Sequence, residues 1–410
     1  MATPGPDNSA ARPRHGRHPL LRSRTGLAGL LVVLLVAITC VGSLPWTLAP
    51  EPGASTPRYN DGRIEAARLP PLSWRATPDQ AARLNRLVPA DQQQQIASRH
   101  GVDPATLADH LEGPIAADLR AHWPAYTLGS DVLGRSLLTR LLTGGGISLA
   151  IGIAAAFLSV CIGTLYGMVA GYAGGRIDAL MMRIVDVLYG LPYVLLVVLL
   201  AVAGDALVDR VQRSRIDAAS RQREAYIEHA IAADPSDETL RHQAHAQALA
   251  TFGTGEISRG ARMTIDVLTL LAAIGGVSWL TLARVIRGQV LSLKAMPYVE
   301  AARVIGASPW RIMRRHLLPN LVGPIVVYST LTVPQAILQE SFLSFLGIGV
   351  KPPLPSWGTL AADGLSELNP FASNWWLLVF PCAALGITLV ALNFIGEGLR
   401  EALDPKRARA

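Results

Sequence analysis

Six stretches of this chain are long and apolar enough to cross a lipid bilayer: residues 26–49, 147–172, 184–203, 265–285, 321–346 and 375–395. A helical span needs about 20 such residues. Hydrocarbon offers no partner for backbone N–H and C=O groups, so each stretch must satisfy its own as an α-helix. The expectation is an all-α integral membrane protein with six transmembrane helices. Composition agrees. Half of the 410 residues are apolar and 16% are charged, against about 25% in soluble domains. Pro192, Pro324, Pro334 and Pro381 fall within the spans, where neighbouring helices can re-satisfy the freed carbonyls. The first span follows a basic leader holding Arg12, Arg14, Arg17, Arg22 and Arg24. Its apolar run is long and no A-x-A cleavage site follows, so it reads as an uncleaved helix rather than a signal peptide.

A formal charge of +7 suits nucleic acid or a membrane surface equally well. Its distribution decides between them. With the N-terminus cytoplasmic, the inside segments carry 18 basic against 7 acidic residues, and the outside segments 19 against 21. Short basic loops inside and long balanced loops outside follow the positive-inside rule. The charge therefore marks topology, and nucleic-acid binding loses its main support. Cys40, Cys161 and Cys382 lie far apart in apolar stretches and offer neither a disulfide frame nor a CxxC metal site.

One inside loop carries a mechanism. From Arg284 to Asn320 it reads RVIRGQVLSLKAMPYVEAARVIGASPWRIMRRHLLPN. Helix formers follow Pro297, Gly306 interrupts them, and Ser308-Pro309 begins a second short helix with Ser as cap and Pro in the first turn. Ala301, Ala302 and Gly306 are small and admit another surface. Arg303, Arg311, Arg314 and Arg315 surround them. An anionic-lipid contact is the plainer reading of such a basic helix pair. The order Glu300-Ala301-Ala302, Gly306, Leu318-Pro319 is more specific. It resembles the EAA loop of ABC-importer permeases, in which that loop is the coupling helix docked in a groove of the ATP-hydrolysing subunit. One slot departs: His316 stands where the family has isoleucine, and Leu317 is expected to take the packing role.

Three further stretches narrow the resemblance. Residues 128–136, LGSDVLGRS, are similar to the LGTDxLGRD signature of dipeptide and oligopeptide permeases, with Ser130 and Ser136 as departures. Residues 347–358, GIGVKPPLPSWG, resemble that family's loop after the fifth span, and residues 394–405, FIGEGLREALDP, its C-terminal signature. The chain is identified as similar to the C-type permease subunits of dipeptide/oligopeptide importers, a family that also includes nickel importers. The resemblance implies the type I ABC-importer permease fold. It implies half of a translocation pathway, a second permease subunit, two ABC ATPase subunits and an extracytoplasmic solute-binding protein. ATP and magnesium are expected on the ATPases, with no cofactor or metal on this chain. Importers of nickel or another small solute remain the alternative, and a secondary transporter a more distant one. The coupling residues carried over are Glu300, Ala301, Ala302, Arg303, Gly306, Arg311, Leu318 and Pro319.

A P-loop needs GxxxxGK[ST], and none of the three lysines, Lys294, Lys351 and Lys406, follows a glycine. No HExxH, GxSxG or Cys/His cluster is present, and no catalytic residue is expected. Ionisable side chains lie toward span ends, except Glu340. Charge in a span is costly and often functional, so Glu340 is a candidate for lining the pathway, with an interfacial or subunit contact as the plainer alternative. Asp131 and Arg135, four apart on an expected outer helix, can form an ion pair and, with Arg140, frame an outer gate or serve as a structural pair.

Two polar segments interrupt the family pattern, one of about 55 residues following Pro71 and one of about 60 following Ala203. Thr77-Pro78-Asp79 and Val102-Asp103-Pro104 look like helix starts in the first. Residues 205–233 and 235–250 read as helices in the second. Their shared sidedness suggests one helical cap on the outer face, against two independent excursions. The expected organisation is a leader (1–25), a first helix (26–49), an outer loop with insertion (50–126), core helices two and three (127–203), a second insertion (204–263), core helices four to six with the coupling loop at 298–320 (264–396), and a cytoplasmic tail (397–410).

Overall fold

The computed structural model describes residues 24–51, 56–71, 77–123, 126–232, 237–368 and 373–403. The basic leader and the end of the tail lie outside these. In chain order the helices are α1 (Arg24–Gly42), α2 (Leu44–Leu48), α3 (Pro78–Leu87), α4 (Ala90–His100), α5 (Gly113–Ala121), α6 (Leu137–Ala173), α7 (Gly175–Tyr189), α8 (Tyr193–Ile231), α9 (Glu238–Phe252), α10 (Arg259–Leu293), α11 (Pro297–Val304), α12 (Pro309–Ile312), α13 (Leu318–Phe345), α14 (Trp357–Ser366) and α15 (Trp376–Leu403). Among the described residues five helical stretches are long and apolar enough to span, or six if α7 and α8, bent by 92° at their junction, count as one span. The fold is all-α and membrane-spanning.

Helix α6 is the centre of the bundle, packed against α10, α13 and α1, while α15 lies on α1 and α13. In lipid no hydrophobic force drives helices together, so close packing depends on small residues. Gly163, Gly167 and Gly171 form such a stripe on α6. Side chains there would strike Trp279 and Leu282, Ala283 and Ile286, and Arg287 and Val290 of α10.

The third span differs from its expected form. It does not run unbroken from 184 to 203. Pro192 has no N–H to donate and its ring blocks helix continuation, so α7 stops at Tyr189 and α8 starts anew at Tyr193. Helix α7 is tied to α10 by two ion pairs: Arg287 to both carboxylate oxygens of Asp178 at 2.6 Å, and Arg284 to Asp186 at 2.9 Å.

The first insertion folds on its own core. Thr77 and Gln80 form a capping box at the start of α3, with Pro78 in the first turn. Asp103 caps a 3₁₀ turn, Pro104–Asp109, rather than an α-helix. Val88, Ile96, Leu107 and Leu119 are buried together, and Leu69, Leu84 and Ala66 form an adjoining cluster. Trp123 touches both clusters and donates from its indole to Asn85. A clamp ties this unit to the bundle: Arg68 forms two hydrogen bonds to Glu367, at 2.6 and 3.0 Å. The hydrogen bonds from Arg68 hold the Glu367 carboxyl below its usual range. A carboxyl with a depressed folded-state pKa contributes stability above its unfolded pKa and loses it as pH falls through the folded value. Hydrogen-exchange protection of residues 64–71 is therefore expected to persist at neutral pH and to fall on acidification below the ordinary carboxylate range. Arg68→Gln should abolish that pH dependence.

The second insertion is a helical hairpin continuous with the membrane helix α8. Tyr226 packs edge-on against Phe252 and donates to Gln247 at 3.0 Å. At its base, Arg262 of α10 pairs with Asp209 and Asp266, and Lys351 pairs with Asp205. The described residues of the two insertions show two separate anchorages to the bundle. Among the described residues no apolar cluster and no hydrogen bond joins the two insertions. The first buries its apolar residues in its own core and is clamped at Glu367. The second is held to α10 by charges at the foot of α8.

Candidate functional site

The loop between α10 and α13 is built on one apolar cluster. Val299 and Ala302 of α11, Ile312, Leu317 and Leu321 pack against Met168 of α6 and Leu282, Ile286 and Val290 of α10. One face of α11 is thus spent on anchoring. Its opposite face, with Glu300, Ala301 and Arg303, is exposed. The helix ends in a left-handed cap: Ala307 N–H bonds Ala302 O at 3.0 Å and Gly306 N–H bonds Arg303 O at 2.9 Å. Gly306 has φ +83° and open space around it, so the glycine serves the backbone conformation and not close packing within this chain. The cap lifts Val304 and Ile305 clear of the protein, at 88% and 85% exposure. Arg303 lies over the ring of Tyr172 at 5.3 Å, and Lys294 donates to Gly171 O at 2.8 Å, which fixes the loop to the end of α6.

After Gly306 the expected second short helix is not separate. Ser308 caps α12, and helix continues through a π-turn, Met313–Leu317, into α13. The π-turn accounts for the His316 departure. Ile312 and Leu317, both fully buried, are five residues apart, which is one π-turn but more than one α-turn. Leu317 therefore faces inward and His316 lies half-buried beside the Tyr298 ring. Arg311 and Pro319 are exposed, and Leu318 is half-buried. Trp310, Arg311, Arg314, Arg315 and Pro319 line a shallow basic hollow beside α11.

The other candidates lie at the far end of the bundle and do not join this loop. Residues 130–136 form a tight turn, not the expected helix. Gly129 and Gly134 have φ +85° and +73°, and a side chain on either would collide with the carbonyl of Leu69 or Arg63. Asp131 organises the turn. One oxygen accepts from the Leu133 and Arg135 N–H groups, each at 2.9 Å, and the other from the Arg135 and Arg140 guanidiniums, each at 2.7 Å. Asp131 is 3% and Arg140 5% exposed. The ion pair is present, and Asp131 and Arg140 are buried in this structure. It is a structural clamp holding residues 60–69 against the start of α6, through Arg135 to Asn60 and Arg68 N–H to Asp131 O.

Glu340 likewise faces no lumen. It is fully buried, with Ser344 Oγ donating at 2.7 Å and Ser341 Oγ at 3.3 Å. The Ser148 and Ser356 hydroxyls complete its shell. The same serines hold the signature loop, 347–358, in place: Ser344 accepts from Val350 N–H, Ser148 accepts from Trp357 N–H, and Gly358 lies on the Ser341 backbone. Glu340→Gln keeps an acceptor for the serines and is expected to hold transport within about twofold. Glu340→Ala leaves buried hydroxyls unpaired and is expected to cost about 1–3 kcal/mol, read as a lowered thermal midpoint of the purified protein.

The family model described as "binding-protein-dependent transport system inner membrane component" matches residues 163–409, a stretch holding α10 to α15 and the whole exposed loop. The chain belongs to this family. It is a multi-pass permease component of the inner membrane. The dipeptide transport system permease protein DppC of Bacillus subtilis is 40% identical over 296 residues, covering 72% of this chain and 71% of that one. The oligopeptide transport system permease protein OppC of Haemophilus influenzae is 40% identical over 281 residues, 68% and 70% of the two chains. The Escherichia coli K12 OppC is 40% identical over 283 residues, 68% and 72%.

Sequence reasoning missed a third polar group. Tyr193, Ser278 and Gln339 meet inside the bundle, with Tyr193 OH donating to Gln339 Oε1 at 2.6 Å and lying 2.8 Å from Ser278 Oγ. Its signal was available: Tyr328, Thr332, Gln335 and Gln339 recur at helical spacing along an otherwise apolar span.

Proposed function

We propose that this chain is one of two permease subunits of an ATP-driven importer of di- or oligopeptides. The loop end of the bundle and both termini face the cytoplasm, and the two insertions face outward, as the distribution of Lys and Arg favours. An extracytoplasmic binding protein delivers the peptide and supplies most of the selectivity. ATP and magnesium bind to two partner ATPases. One ATPase receives α11, with Val304 and Ile305 entering its groove and Glu300, Ala301, Arg303 and Arg311 around them. Closure of the ATPase pair then moves α11 with α13, to which it is joined by a short capped turn.

The observation that carries this reading is the pair of large apolar side chains raised almost wholly into solvent at the tip of a loop otherwise rich in arginine. Exposed apolar surface with a polar rim marks a protein-binding site. The relatives are dipeptide and oligopeptide transport permeases, which supports a peptide substrate. The test is uptake into liposomes holding both permeases and both ATPases. Labelled di- and tripeptide should accumulate only with binding protein outside and ATP inside. Accumulation without ATP would overturn the reading.

A further inference from the structure

The backbone at the break between α7 and α8 is not helical, and Tyr193 just after it meets Ser278 and Gln339 within the apolar spans α10 and α13. At membrane depth such backbone is tolerated only where protein buries it or a water-filled cavity adjoins it. A cavity of about 420 Å³ adjoins it here, between the break, α10 and α13. Its apolar wall comes from Leu188, Leu191, Val277 and Leu280, and its polar wall from Tyr193, Ser278, Thr281, Gln335 and Gln339. Among the described residues no charged side chain lines it.

Thr281 and Gln335 are exposed although both sit within spans. An amide facing hydrocarbon costs several kcal/mol, so Gln335 must meet water, substrate or another protein. Gln339 is held by Tyr193 and Ser278 through its oxygen alone. Its nitrogen has no protein partner among the described residues. Tyr328, Thr332, Gln335 and Gln339 extend the same face along α13. The wall thus presents neutral donors and acceptors with no fixed charge.

We propose that this cavity is a substrate site on the transport path, which holds a peptide by its main-chain amides. The proposal rests on the peptide-importer reading above. Carboxamide and hydroxyl groups match the paired N–H and C=O of a peptide unit. A charge-free wall discriminates little between acidic, basic and neutral side chains. The volume lies within the range of about 300–1,000 Å³ typical of small-molecule sites. Gln335 and Gln339 contact the peptide. Tyr193 and Ser278 position Gln339.

The test uses the complete importer in liposomes with a photo-crosslinking amino acid in place of Gln335 and a radiolabelled tripeptide. Illumination during ATP turnover is expected to label this chain. Unlabelled acidic, basic and neutral tripeptides should compete to within about threefold of one another. Gln339→Leu and Gln335→Leu should each reduce uptake by about 5–10-fold, the loss of one hydrogen bond. An adduct with the second permease or with lipid, and none with peptide, would overturn the site, as would leucine variants with unchanged uptake. If the unmodified importer moves no peptide, the importer reading fails and takes this site with it. If it moves peptide while no peptide adduct forms, the site alone fails.

Discussion

Replacing Asp131 with alanine is expected to destabilise the folded permease by about 3–5 kcal/mol, the cost of leaving a buried charge without its partner. Arg140 is nearly sealed from solvent, and its guanidinium reaches Asp131 at 2.7 Å and Asp363 only at 3.5 Å. Among the described residues the Arg140 Nε has no hydrogen-bond partner. Removing Asp131 therefore strands a cation and, at the same time, frees the Leu133 and Arg135 N–H groups that fix the turn. Because the penalty belongs to the uncompensated charge, Asp131→Asn combined with Arg140→Met should recover at least half of it. Thermal unfolding of the purified complex provides the comparison. Equal loss in the single and double variants would show that the turn, and not the charge, is what Asp131 maintains.

Charging the loop tip should have the opposite character: little effect on folding and a large one on assembly. Val304 and Ile305 touch almost nothing in this chain, so Val304→Asp with Ile305→Asp should change its own stability by no more than about 0.5 kcal/mol. In a complex, two carboxylates would have to leave water for an apolar groove, at several kcal/mol. At 1.4 kcal/mol per factor of ten, affinity for the ATPase is expected to drop by about 100-fold or more, with loss of ATP-driven uptake. Retention of the ATPase on the immobilised variant permease, measured against the wild type, checks this directly.

The spans and the exposed loop were legible because each rests on a strong local signal. Twenty apolar residues admit one structure in lipid. Pro297, Gly306 and Ser308 mark start, left-handed cap and restart within a dozen residues. The same holds for Thr77-Pro78, which opens α3 as its pattern implies. Misreadings arose where tertiary contacts outweigh local pattern. Asp131 and Arg135 have helical spacing, but Gly129 and Gly134 beside them need backbone angles that no helix offers. Local pattern alone lets Pro192 sit within a span, since neighbouring helices can repair such a gap. Here a cavity lies beside the gap. Glu340 looked like a group facing a solute because a carboxyl in a span is costly. Its cost is met by serines contributed from α6, α13 and the loop before α14, far apart in sequence. How each insertion is anchored was equally hidden: sidedness says which face a segment occupies, not which neighbour it touches.

The central claim is that α11 and the turn after it receive the ATPase. Cysteine at position 301, on the exposed face of α11, tests it most directly in a complex of both permeases and both ATPases, crosslinked with a short thiol-reactive bifunctional reagent. The account predicts a crosslink to one ATPase subunit whose yield changes with nucleotide, lost when Ile305→Asp is added. A cysteine at 301 that reacts only with water-borne thiol reagents, in a complex that still hydrolyses ATP and moves peptide, would contradict it.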